Sequence, residues 1–480
     1  MKIDRFIHIA ILVLLVLAAG NINACGQEIE YSIPLGDNIQ TTSFDIVGYC
    51  QDRLMIFKSS FNNYYMALYN DSMNIIDQVP LQFLPKETIE EDFVDLDNKV
   101  LMVYQYRHKK DIYCEAVMLD GKAGVLAKPF LIDKTIHPEE VFGDKAYAVI
   151  RSNDKSRIMV FEMMTKEDSL LYHIRTFLYD SAMNVLNRGL VDLPFVVAGQ
   201  KPVSFQVADN GSLYFLMGNE TNPSDPYYQR LRVYYKPAGG NILLSDTISS
   251  GGHLLKSGPV LKIDELHQKL WVGAFGYDTR LRNVDRLMLW NFGMDSLKLL
   301  KCDTIFLTDS LRRDMESKSE GVRETFNDYQ LNHLVVDKDE NILLIAEEKY
   351  TDANNVTHHN DMALFGINAS GQLTGIQEIT KDQGNDLSSV YASYMMVNTG
   401  HALHFLMNKS HRVFRFLNNY RYLLTDYRYG DNQKLMQMPT MRGLANKYLW
   451  APRYGVQISR NEVVIPCTIG SNLLFAKITY

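Results

Sequence analysis

Cysteine is scarce in this chain. There are five in 480 residues, with no Cys-x-x-Cys pair. That excludes a disulfide scaffold and the usual zinc-binding spacings. Positive charge is also short: 49 Lys and Arg stand against 56 Asp and Glu, for a net charge of -7. No bulk basic field exists to hold nucleic acid. With 14 prolines and 29 glycines, collagen-like and low-complexity character are excluded as well. Past the N-terminus no run reaches the roughly 18 unbroken apolar residues of a membrane-spanning helix. His-Glu-x-x-His, Gly-x-Ser-x-Gly, P-loop and dinucleotide fingerprints are all missing. What remains legible is an address and an architecture.

The address is at the start. Lys2 and Arg5 precede an apolar stretch from Ile7 to Ala19, interrupted by His8. At about 13 residues it is too short to span a bilayer and reads as an export signal over residues 1–24. Ile22-Asn23-Ala24-Cys25 follows and resembles the lipobox of bacterial lipoproteins, which implies lipidation of Cys25. Plain cleavage near Ala24 is the competing reading. Removing residues 1–24 takes away Lys2, Asp4 and Arg5, so the mature charge falls from -7 to -8. Cys50, Cys114, Cys302 and Cys467 sit in or beside apolar runs and read as buried thiols.

The architecture lies in a repeat. An apolar run, a polar turn and a second apolar run recur, with turns near Asp52, Asn98, Asp144, Gly211, Gln268, Glu340, Gly400 and Asn461. Asn, Asp and Gly at such places supply hairpin chemistry. The second run is almost wholly apolar, as in Leu54 to Phe57 and Ile342 to Ala346, so both faces of that strand are covered. A second hairpin follows each of the first seven. Two hairpins make a four-stranded antiparallel sheet, and such sheets repeated radially make a β-propeller. The expectation is therefore an all-β chain, with residues 25–480 forming one propeller of about eight blades. The eighth unit ends at the C-terminus without an outer strand, and residues 29–35 resemble the missing piece, so an N-terminal strand closes the last blade. Two smaller all-β domains are the alternative. The stretch 303–330 is read as a charged insertion, and 219–230 as a polar loop.

Candidate chemistry is thin. His358-His359-Asn360-Asp361 reads as a solvated loop, because adjacent histidines on a strand face opposite ways. His401 and His404 are read likewise. Asp92, Asp95 and Asp97 lack the glycine and distal glutamate of a calcium loop and read as turn-forming residues. Glu347-Glu348 and Glu90-Glu91-Asp92 are carboxylate neighbours in sequence, which does not establish a catalytic pair. Tyr391, Tyr394, Tyr448, Trp450, Arg453 and Tyr454 cluster near two blade starts and are the candidate ligand-binding residues, since exposed Tyr, Trp and Arg make good binding surfaces. Packing between blades is the competing role. No metal and no cofactor is expected.

Asp-Ser or Asp-Thr followed by an aliphatic residue, Met, Ala or Thr occurs seven times, placing Ser72, Ser169, Ser181, Thr247, Ser296, Thr304 and Ser310 in this pattern. Roughly one or two would arise by chance. The pattern resembles the O-glycosylation signal of exported Bacteroidetes proteins; turn chemistry is the other explanation. Ala346, Glu347, Asn360, Asp361, Gly371, Lys381, Gln383, Ser393 and Tyr394 carry a further likeness over residues 330–400. This stretch is similar to a family of uncharacterised exported proteins in Bacteroidetes. That resemblance implies a repeat-rich β fold and no activity.

The expected function is a noncatalytic binding or scaffolding propeller on the cell envelope. It would be periplasmic or anchored to the outer membrane by lipid, with an envelope protein, a peptide or a glycan as partner. The alternative is a carbohydrate-active hydrolase or lyase using carboxylates from several blades.

Overall fold

The computed structural model describes residues 27–96, 98–136, 145–165, 171–194, 200–220, 227–256, 258–308, 311, 326–384, 387–414, 417–430, 432–438 and 447–480. Their strands form eight antiparallel blades. Blades 1 to 7 run over 43–80, 88–136, 147–194, 200–248, 260–306, 329–379 and 394–437, each with four strands from the axis outward. A short extra strand, Leu254–Lys256, pairs with Tyr227 and Tyr228 on one side and Gly276 and Tyr277 on the other, which fuses blades 4 and 5 into one sheet.

Blade 8 is shared. Its inner part is Leu449–Trp450 and Val456–Gln457, followed by Glu462–Ile469 and Asn472–Thr479. The outermost strand is Glu28–Tyr31, paired from Glu28 opposite Thr479 to Tyr31 opposite Ala476. Pairing covers what would otherwise be an open apolar edge. The expected N-terminal closure is therefore observed.

Blade faces are apolar because each is pressed between two neighbours. Arg53–Ser60 keeps five consecutive buried residues for this reason. Eight apolar clusters lie between successive blades, and the eighth joins Ile46, Ile56 and Tyr69 of blade 1 to Val464, Leu473 and Phe475 of blade 8. The ring thus closes on itself. Turn positions Gly211, Gln268, Glu340 and Gly400 all adopt positive φ, as tight hairpins demand.

Some boundaries differ from the sequence reading. Asp303 to Phe306 belong to the outer strand of blade 5, and Tyr329 and Gln330 begin blade 6, so the charged insertion is shorter than 303–330. Asn219, Glu220 and Tyr227 to Arg230 are likewise in strands. His358 to Asp361 lie in the strand Thr357–Ile367, not in a solvated loop. Asp92 and Asp95 lie within the innermost strand Thr88–Leu96, not in a turn. Cys50, Cys114 and Cys467 are buried free thiols, but Cys302 is exposed, because it sits on an outermost strand that no further strand among the described residues covers.

Candidate functional site

All innermost strands begin at the same end of the ring, here called the upper face. The proposed aromatic residues lie there, but most of them pack. Trp450 is fully buried between blades 7 and 8, and Tyr394 is buried between blades 6 and 7. Tyr448 stacks on Tyr31 of the closing strand, ring centres 4.5 Å apart. The Tyr391 hydroxyl pairs with Thr468 Oγ1 at 3.2 Å. These four hold blades together, because wide aromatic rings fill the wedge between diverging sheets. Arg453 and Tyr454 differ. Both are exposed; the Arg453 guanidinium lies 4.6 Å from the Tyr454 ring centre and donates to its hydroxyl at 2.6 Å. Tyr454 also meets Phe44 of blade 1 edge-on at 6.1 Å.

Phe44 leads directly to an acidic cluster. Asp45 follows it on the innermost strand of blade 1, and Glu90, Glu91 and Asp92 lie on the innermost strand of blade 2. Asp45 keeps contact with water, although the innermost strands of blades 1 and 2 crowd round it. Poor hydration and then the charge of Glu90 push its carboxyl up to about 6. Burial, followed by Asp45, Glu90 and Asp92, raises Glu91 to about 7. Asp92 rises to about 6, again through burial first, with Lys145 opposing. Lys145 itself binds Glu90 at 2.6 Å. One ammonium therefore serves three of these carboxylates, Glu90, Asp92 and Asp45, and leaves Glu91 without a cation of its own. Deeper in the channel the balance reverses, since Asp95 alone is held by both Arg151 and Lys155.

Sequence reasoning had Glu90-Glu91-Asp92 but missed Asp45 and Lys145, which lie on other blades. The available signal was a run of acids opening an innermost strand, a place where apolar residues usually dominate.

A second polar group lies under the upper face across blades 6, 7 and 8. Lys381 Nζ, wholly buried, donates to Glu347 Oε1 at 2.5 Å, to Gln383 Oε1 at 3.0 Å and to the His359 carbonyl at 3.1 Å. Ser393 Oγ donates to Glu347 Oε2 at 2.9 Å, and His359 Nδ1 lies 3.1 Å from the same oxygen. Gln383 Nε2 reaches the Asn408 carbonyl, while Asn408 Nδ2 bonds the carbonyls of Tyr391 and Trp450. Burial alone would raise Glu347, but Lys381 and His359 outweigh it and hold its carboxyl down at about 2. Five of the residues carrying the family-like stretch, Glu347, Lys381, Gln383, Ser393 and Tyr394, converge in or against this node. Its members are buried and, apart from Asn408 Oδ1, their side chains are paired, so the node fastens blades 6, 7 and 8.

The paired histidines face opposite ways, as expected: His358 approaches Asp352 at 3.3 Å and His359 approaches Glu347. His404 is buried against Asp426 at 2.9 Å, whereas His401 is exposed. Among the described residues no group of His, Cys, Asp and Glu could hold a metal ion. Ser72, Ser181, Thr247, Ser296 and Thr304 are all exposed at outer turns or outer strands. Cys25, Asp97, Ser169 and Ser310 lie outside the described residues.

No protein family and no curated protein matches the chain by sequence. Solved structures do resemble it. The WD40 domain of SCAP from fission yeast aligns over 94% of this chain and 98% of its own, at 10% identity and a TM-score of 0.43. Prolyl oligopeptidase B from Galerina marginata aligns over 90% of this chain and 56% of its own, at 9% identity and a TM-score of 0.41. An exo-beta-1,3-galactanase from Phanerochaete chrysosporium aligns over 63% and 65%, at 10% identity and a TM-score of 0.33. At such values the fold rests on the strand pairing described above.

Proposed function

We propose that this protein is an exported, envelope-located propeller that acts as a noncatalytic binding module. Its ligand sits at the upper channel mouth, across blades 8, 1 and 2, and is a cationic peptide segment. The observation that carries the reading is the carboxylate excess there: burial and then neighbouring acids, Glu90 in every case, disfavour the charge of Asp45, Glu91 and Asp92, and Lys145 opposes this only at Asp45 and Asp92. Ammonium or guanidinium groups of a ligand relieve that repulsion. Tyr454 and Phe44 supply apolar contact for the stems of such side chains. Lipidated Cys25 would lie three residues before Glu28, so an anchor would hold the ring by the rim of blade 8.

The test is fluorescence anisotropy with labelled pentalysine at low salt. Binding is expected at pH 8 and is lost towards pH 5, as the carboxyls protonate. Glu91→Gln is expected to weaken it by about tenfold, the equivalent of about 1.4 kcal/mol. No binding at pH 8, or binding indifferent to both Glu91→Gln and Asp45→Asn, overturns the proposal.

One observation favours a second reading. Burial and then Asp45 push the Glu91 carboxyl up to about 7, and a raised carboxyl near a second acid is what a glycosidase needs for proton donation. Turnover of an oligosaccharide panel that disappears in Glu91→Gln would establish that reading over the first.

A further inference from the structure

The outermost strand of blade 5, Leu299–Phe306, ends its sheet, and among the described residues no strand pairs with its outer backbone edge. Natural edges are usually guarded by charge, proline or a covering segment. This strand carries one charge pair, Lys301 and Asp303, and also exposes Leu299 at 41%, Leu300 at 52% and Phe306 at 58%. Cys302, Thr304 and Phe306 alternate onto one exposed face, with Leu300 beside them at a bulge. Lys301 and Asp303 share the other face, where they form an ion pair at 3.0 Å beside blade 6.

The order of these residues is self-complementary. Consider a second copy of the strand laid antiparallel, with the two-fold axis at Cys302. Lys301 then meets Asp303 of the second copy, and Asp303 meets its Lys301. Leu300 lies opposite Thr304 and diagonal to Phe306, within reach of side-chain packing. The two Cys302 residues face each other. An isologous contact requires this property, since each residue must suit its symmetry mate. An unrelated partner strand would have no reason to find charges placed symmetrically about the centre.

We propose that the protein self-associates through this edge, two copies joining their blade 5 sheets into one continuous antiparallel sheet centred on Cys302. One strand pair with its side chains makes a small interface, so the dimer is weak and concentration-dependent. Thr304 lies in the exposed row, so a glycan there would block the contact.

The experiment uses full-length protein from a host that does not O-glycosylate, with two readouts. Sedimentation equilibrium should show a monomer–dimer equilibrium that Phe306→Lys shifts at least about tenfold towards monomer, without lowering the melting temperature. Lys301→Asp and Asp303→Lys should each weaken it, and together should restore it. A short bis-maleimide, adding one thiol across each ring double bond, should yield a covalent dimer that vanishes in Cys302→Ser. A monomer at all concentrations to about 100 µM, a value weaker than standard interfaces show, overturns the proposal. So does a dimer indifferent to Phe306→Lys, or a charge-swapped pair that fails to recover.

Discussion

Lys477 Nζ of blade 8 donates to Asp71 Oδ1 of blade 1 at 2.6 Å. The same ammonium also lies 2.9 Å from Glu30 of the closing strand and 3.5 Å from Glu462 of blade 8. One lysine therefore ties the first blade, the last blade and the N-terminal strand where the ring closes. Burial works against its charge, but Asp71 and Glu30 more than offset this and raise its pKa.

Replacing Lys477 by Met should destabilise the protein by about 3 kcal/mol, because Glu30 and Glu462 lose their cation in a confined place. Asp71→Asn should cost about 0.5 kcal/mol or less, since Asp71 is largely exposed. Deleting residues 27–36 should lower the melting temperature by several degrees, as it reopens an apolar edge. Thermal unfolding followed by circular dichroism measures all three. Equal effects of Lys477→Met and Asp71→Asn would contradict the hub role.

The buried node should respond asymmetrically. Lys381→Met leaves the Glu347 carboxylate buried without its cation and should cost about 3–5 kcal/mol. Adding Glu347→Leu should recover much of that loss, because an apolar pair of similar size avoids the stranded charge. Denaturant titration of the single and double variants checks this. A double variant no more stable than Lys381→Met would show that the node is more than an ion pair.

Stability should depend on pH through the channel carboxyls. Asp45, Glu91 and Asp92 have folded pKa values of about 6, 7 and 6, above their ordinary values. The folded chain then binds more protons than the unfolded chain between roughly pH 4 and 7, so their contribution to stability falls as pH rises through that window. Glu91→Gln should therefore raise the melting temperature by about 1–2 °C at pH 8 and leave it unchanged at pH 4. A shift of the same size at both values would refute the repulsion.

Export and modification can be read from the purified protein. Cys25→Ala should release it from membranes, and unchanged detergent partitioning would refute lipidation. Intact mass after expression in a glycosylating Bacteroidetes host should show added hexose units, which Ser72→Ala, Ser181→Ala and Ser296→Ala reduce stepwise.

The repeat was legible because blade formation is local. Each hairpin couples a turn such as Gly211 or Gly400 to flanking apolar runs, and burial on both faces removes alternation from the inner strands. Even the shared blade could be read, since residues 29–35 form a strand-like run without a local partner in the sequence, and the strand that closes the blade is Glu28–Tyr31. The site was harder. Trp450 and Tyr394 carry the composition of a binding surface and yet are buried, because residue type does not say which side of a blade interface a ring occupies. His359 looked solvated beside Asn360 and Asp361, but its acceptor, Glu347, lies on the preceding strand.

By itself the sequence determined the fold class, the blade number to within one or two, and the N-terminal closure, because these follow from short-range periodicity and turn chemistry. Tertiary structure decided which residues share an environment. Asp45 and Glu91 come from separate repeats, and neither is unusual until the ring sets their strands side by side at the channel wall. Cys302 matched the other thiols in its surroundings along the chain; only its place on an outermost strand exposes it. Electrostatic coupling and exposure depend on distance in space, which a radial fold sets independently of distance along the chain.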